Sequence, residues 1–193
     1  MPGEARNPMQ RKAMERADLR SAQDPLKERY RREPTSALGT LHAEASLDDE
    51  ISVSLQTWSG PVTAGLHPGT GGDGSLACSG DMLLEALAAC TGVTLLAVAT
   101  SLRIAIRSGT VRVEGDLDFR GTLGVSGDAP VGFTDIRMEL ELETDATDEQ
   151  LDRLIQSTER YCVVYQTLAQ PPSVTVSRRG RGSEDSARTE ART

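Results

Sequence analysis

Between Ala86 and Ala99 the chain carries no charged side chain. The run belongs to a longer stretch, Ser79-Gly80-Asp81-Met82-Leu83-Leu84-Glu85-Ala86-Leu87-Ala88-Ala89-Cys90-Thr91-Gly92-Val93-Thr94-Leu95-Leu96-Ala97-Val98-Ala99, rich in helix formers. Ser79 or Asp81 is suited to cap its start, where an acid also meets the positive end of the helix dipole. The uncharged run falls short of the about 20 residues needed to cross a bilayer, so it reads as a helix buried in a core or between subunits. At about 100° per residue, Leu83, Leu87, Cys90 and Thr94 share one face. A thiol among leucines is ordinarily inert, so Cys90 needs a partner before it carries chemistry.

That helix is set in an acidic chain. Net charge is −8 and the pI is about 4.9, which disfavours nucleic acid or an anionic membrane as the main partner. Only 3% of the 193 residues are aromatic, so the core must be aliphatic. No apolar N-terminal segment reads as a signal peptide and no membrane span is expected, so the expected compartment is the cytoplasm, where thiols stay reduced. Three cysteines, Cys78, Cys90 and Cys162, do not make a disulfide framework, and none forms a CxxC pair.

Residues 1–37 read as a charged, frayed arm. Its one ordered piece is a short helix from Leu26 to Arg32, started by Asp24-Pro25 and stopped near Pro34. Leu41, Ala43, Ala45 and Leu47 alternate with polar residues, as do Ile51, Val53 and Leu55. With Val62 to Leu66 they predict a three-stranded antiparallel meander. The glycine-rich segment His67-Pro68-Gly69-Thr70-Gly71-Gly72-Asp73-Gly74-Ser75 fits neither a P-loop nor a dinucleotide fingerprint. It serves either as a crossover or as a loop that lets substrate approach. Past a break at Gly109, Val111 to Phe119 alternates, and Ile136 to Leu142 is the cleanest strand pattern in the chain. Thr147-Asp148-Glu149-Gln150 is a capping box opening a helix on which Leu151, Ile155, Thr158 and Cys162 face the core. Val174-Thr175-Val176 predicts a last strand, and 178–193 a disordered tail.

Cys90 and Cys162 both project from apolar helix faces and can share one pocket. Peroxide reduction needs a thiolate that attacks the O–O bond and a second thiol that resolves the sulfenic acid. Cys90 sits mid-helix, beyond the reach of that helix's own dipole, so activation calls for a cation from another segment or another chain, oriented by a carboxylate.

The two cysteine segments, Ser79 to Gly92 and Glu159-Arg160-Tyr161-Cys162, together resemble the OsmC/Ohr family of hydroperoxide reductases over residues 38–177. The resemblance implies an α+β, OsmC-like fold: antiparallel sheets packed around a long buried central helix, in an intertwined homodimer. It implies Cys90 as the peroxidatic and Cys162 as the resolving thiol, organic hydroperoxides as substrates, and a thiol reductant such as a dihydrolipoyl protein. No cofactor or metal is implied. Where family members use a glutamate before the helix to hold an activating arginine, the nearest counterparts are Asp81 and Glu85, of which Asp81 is assigned the role because Glu85 sits about 140° around the helix from Cys90. The early turn Leu47-Asp48-Asp49-Glu50 has no arginine, so Arg31, or its neighbours Arg29 and Arg32, takes that role, across the dimer if need be.

Two rival readings remain. One is the same fold serving as a non-catalytic module that holds a small apolar or acyl ligand, with both cysteines as packing residues. The other is a metal site from His67, Asp73 and Cys78, whose spacing matches no standard zinc pattern.

Overall fold

The computed structural model describes residues 14–48 and 50–178. The chain runs α1 (Arg16–Arg32), β1 (Ala45–Leu47), β2 (Ser52–Thr57), β3 (Gly60–Gly65), β4 (Ala77–Cys78), α2 (Ser79–Leu102), β5 (Ile106–Asp116), α3 (Phe119–Thr122), β6 (Asp135–Thr144), α4 (Asp148–Tyr161) and α5 (Val163–Ala169). It is an α+β fold with two sheets, one ordered β1-β2-β3-β4 and the other the hairpin β5-β6.

α1 is a correction to the expected short helix. It runs through Pro25, which forfeits one backbone bond without ending it. Ion pairs at helical spacing offset part of that loss: Arg20 with Asp24 at 3.4 Å, and Arg31 and Arg32 with Glu28 at 3.3 and 3.7 Å. Exposed pairs of this kind contribute about 0.3–0.5 kcal/mol each. Leu19 is the buried anchor, and the helix ends at Glu33, the residue before Pro34. The frayed beginning and the tail of the sequence reading fall on residues 1–13 and 179–193, outside the described residues.

The antiparallel meander is present, with Ala45 opposite Leu55 and Ser54 opposite Thr63. Its first strand is shorter than the alternation implies and omits Leu41, and Leu41 outside it and Leu47 within it are both exposed. β4 adds a parallel pairing to β3 that two residues cannot signal in sequence. β5 begins before Gly109, which lies inside the strand opposite Leu142 rather than breaking it. A Cβ there would come 2.7 Å from the Glu141 carbonyl oxygen, so glycine permits the close pairing. Phe119 is not a strand residue but opens α3, whose cap Asp118 accepts from the Arg120 N–H at 3.0 Å. Outward charges ladder across the hairpin, Arg112 to Glu139 at 3.0 Å and Arg107 to Glu143 at 3.1 Å. Val174 and Val176 form no strand and stand exposed.

α2 crosses the sheets as the central helix. Its N-cap is Cys78, with no side-chain cap from Ser79 or Asp81. The buried stripe is Leu87, Thr91, Leu95 and Ala99, while Leu83 is exposed, so the packed face is turned from the one expected. The helix is also longer than its uncharged run, 24 residues, and by length and composition alone would suffice to span a membrane. Here it packs instead against β5, α4 and α5. Leu95, Ala99, Ile104 and Leu154 form the core, flanked by Leu140, Leu142 and Leu151. The α4 capping box forms as read: Thr147 Oγ1 accepts from the Gln150 N–H at 3.3 Å, and Gln150 Oε1 accepts from the Thr147 N–H at 2.9 Å.

Leu154 is fully buried where α4 meets α2. Leu154→Ala is expected to lower unfolding free energy by about 2–5 kcal/mol in urea titration.

Candidate active site

The site is built where α4 stops. Backbone angles at Cys162 (φ −76°, ψ 111°) leave the helical range, so this residue is at once the C-cap of α4 and the N-cap of α5. Thr158 donates its hydroxyl to the Leu154 carbonyl at 2.8 Å just before the break. A helix that ends and restarts exposes the free N–H groups of its new first turn. The Val163 and Val164 N–H groups are among the influences that lower the pKa of the Cys90 thiol on α2.

Cys90 is half-buried, and its neighbour Thr91 is fully buried with Oγ1 3.6 Å from the Cys162 sulfur. Cys162 is itself 1% exposed. Burial pushes the Cys90 pKa up, but the Val164 N–H, the Cys162 thiol, the Val163 N–H and the Thr94 hydroxyl outweigh it, and the net shift is downward. A lowered thiol pKa is what nucleophilic sulfur chemistry requires. The sequence expects Cys90 and Cys162 to share a pocket, and Thr91, next to Cys90, meets the Cys162 sulfur at 3.6 Å; the backbone donors carry no signal in it. Any residue but proline supplies an N–H, so no letter of the sequence marks them; only the helix break does.

The other candidate residues lie elsewhere in the single chain. Asp81 is exposed in the first turn of α2. Nine residues before Cys90, it is about 13 Å away along the axis at 1.5 Å per residue. Arg31 is engaged with Glu28 and 70% exposed, Arg32 shares that glutamate, and Arg29 lies over the Tyr30 ring. Within one chain none of these is brought to Cys90.

The rival metal triad is not assembled. Asp73 Oδ1 accepts from the Ser75 N–H and hydroxyl, at 2.8 and 2.6 Å, and the hydroxyl contact leads in holding its carboxyl below the usual range. His67 Nδ1 accepts from the Gly69 N–H at 2.9 Å, and its ring stacks on Phe119 with centroids 5.0 Å apart. No group of three metal-ligating side chains occurs among the described residues. The glycines of this loop answer to close approach: a Cβ on Gly72 would overlap the Leu66 carbonyl, and Gly71 has φ +100°.

Residues 72–177, more than half of the chain, match the family model described as OsmC-like protein, and the chain belongs to that family. No curated protein sequence matches it. Among solved structures, it is similar to an OsmC-like protein from Mycoplasma pneumoniae. That pair shares 19% identity over 69% of this chain and 89% of the other, with a TM-score of 0.59. An organic hydroperoxide resistance protein OsmC from Legionella pneumophila is similar at 14% identity, over 69% and 93% of the two chains, with a TM-score of 0.54. An OsmC-like protein of unknown function from Vibrio cholerae gives 13%, 67%, 94% and 0.54 in the same order. These likenesses establish the shared fold.

Because its pKa is lowered, Cys90 keeps its thiolate to lower pH than an ordinary thiol. Its alkylation by iodoacetamide, followed by peptide mass mapping, is expected to have a midpoint below the reference value of 9.0. Thr94→Val removes one donor and is expected to move that midpoint up.

Proposed function

We propose that this protein is a thiol-dependent peroxidase that reduces organic hydroperoxides to alcohols, with Cys90 attacking and Cys162 resolving. The observation that carries the reading is that fully buried Thr91, next to Cys90 on α2, meets the Cys162 sulfur at 3.6 Å at the break between α4 and α5. Family membership supports a role in peroxide metabolism, and the Legionella relative is named for organic hydroperoxide resistance.

In this reading the Cys90 thiolate attacks the terminal oxygen of ROOH. An S–O bond forms as the O–O bond breaks, and the departing alkoxide takes a proton to become the alcohol. The Val163 and Val164 N–H groups stabilise the thiolate before attack. The Cys162 sulfur then attacks the sulfenyl sulfur, hydroxide leaves and is protonated to water, and a Cys90–Cys162 disulfide remains. A dithiol reductant, such as a dihydrolipoyl group on a carrier protein, returns both cysteines to thiols and is itself oxidised to a disulfide. The setting proposed is the reducing cytoplasm. The working form proposed is a homodimer, with a second copy covering the apolar residues that α2 leaves open, Val93 and Leu96, at 71% and 56% exposure. In that dimer Arg31 and Asp81 have a second route to the site.

The opposed reading, an OsmC-fold module holding an apolar or acyl ligand with inert cysteines, draws on the near-complete burial of Cys162. Intact-mass spectrometry after brief cumene hydroperoxide treatment separates the two. The expected result is a loss of two hydrogens, mapped to a Cys90–Cys162 bridge and absent in Cys90→Ser. An unchanged mass in peroxide excess would reject the peroxidase and favour the module.

A further inference from the structure

A groove of about 460 Å³ opens beside the break between α4 and α5. That lies within the roughly 300–1,000 Å³ of small-molecule sites. Its walls come from the last residues of α4, from α5 and from Pro172 beyond it. Cys162 lines it and Cys90 does not. No lining residue belongs to α2, whose open face is the one assigned to a second copy. Toward α2, the Cys162 sulfur meets Thr91 Oγ1 at 3.6 Å. The sulfur thus stands between the helix that carries Cys90 and the groove. Cys162 is only 1% exposed, so a slim thiol arm, and not a protein surface, is what fits down to it.

Two polar side chains of the groove are already spent. Gln166 donates its amide to the Glu159 carbonyl at 2.9 Å, and Thr167 donates its hydroxyl to the Val163 carbonyl at 2.8 Å. Arg160 is not spent in this way. It is the one charged residue lining the groove and forms no ion pair among the described residues. Its guanidinium lies over the Tyr161 ring, 5.4 Å from the centroid. In a chain of net charge −8, that sets an uncompensated positive charge beside a buried sulfur.

Thiol–disulfide exchange runs in line, with the attacking thiolate, the sulfur under attack and the departing sulfur close to one axis. A nucleophile aimed at Cys162 must therefore come from the side facing away from Cys90, and the groove is on that side. Exchange is also faster when the departing thiol has the lower pKa, and the Cys90 thiol is the one held below the ordinary value.

We infer that this groove admits the reductant: a slim, carboxylate-bearing thiol enters it and attacks the Cys162 sulfur, with Arg160 holding the carboxylate. The inference rests on the peroxidase reading for the Cys90–Cys162 bridge that is attacked. A new S–S bond forms to Cys162 as the bridge breaks, and the electron pair leaves on Cys90 as its thiolate. A second thiol, on the same reductant or on another molecule, then attacks the reductant's sulfur. Cys162 departs as a thiolate and takes a proton, and the reductant leaves as a disulfide. Peroxide and reductant thus reach the pair at different sulfurs.

The test starts from the bridged protein, made with diamide so that it runs whether or not a hydroperoxide oxidises Cys90. Reduction is begun with 3-mercaptopropionate, stopped in acid within the first turnover, and mapped by peptide mass. The expected adduct is on the Cys162 peptide, with Cys90 free for alkylation. An adduct on the Cys90 peptide, or no bridge with diamide, overturns the inference. Arg160→Ala is expected to slow reduction by 3-mercaptopropionate about two- to fivefold, the scale of an exposed charge contact, and to leave the rate with 3-mercaptopropionamide unchanged. No loss, or a loss shared equally by acid and amide, overturns it as well. If Cys162 takes the thiol as expected while cumene hydroperoxide leaves the reduced protein unchanged, the peroxidase falls and the groove stands.

Discussion

The break between α4 and α5 at Cys162 is the feature on which the candidate chemistry depends. A helix continuing through that position would spend the N–H groups of Val163 and Val164 on carbonyls of its own preceding turn. Stopping and restarting frees them, and they help to lower the pKa of the Cys90 thiol on α2. Burial alone would make that thiol inert, and two backbone donors, a second thiol and a hydroxyl reverse the outcome. The break is itself held in place by packing: Leu154 and Thr158 anchor α4 on one side, and Thr91 meets the Cys162 sulfur on the other.

This changes what activation must supply. Within α2 no arginine precedes Arg103 and the helix dipole acts only at the ends, so the sequence alone points to a cation from another segment. Arg31 and Arg32 are instead spent on Glu28, on the surface of α1. Backbone donors need no counter-carboxylate to orient them, and Asp81 stands exposed in the first turn of α2, nine residues before Cys90. A cation arriving from a second copy would add to these donors rather than replace them.

How legible the chain was depended on how local each cause is. The α4 capping box and the alternation of β6 are decided by residues three or two apart, and both stand where the pattern put them. The two cysteines were identifiable as a pair because their flanking segments are distinctive together. α1 was underestimated because Pro25 reads as a start, whereas the pairs around Asp24 and Glu28 favour helix on both sides of it. β4, the small α3 and the turn of the buried stripe of α2 toward Thr91 are set by tertiary neighbours. Val174 to Val176 shows the reverse error, a strand pattern with no strand beside it.

The central claim, that Cys90 is an activated nucleophile waiting on Cys162, is most directly tested by removing the resolving thiol. In Cys162→Ser, one equivalent of cumene hydroperoxide should leave a sulfenic acid that persists on Cys90 and is trapped by dimedone, as seen in the mass of the Cys90 peptide. A Cys90 peptide that gains neither oxygen nor dimedone would contradict the account.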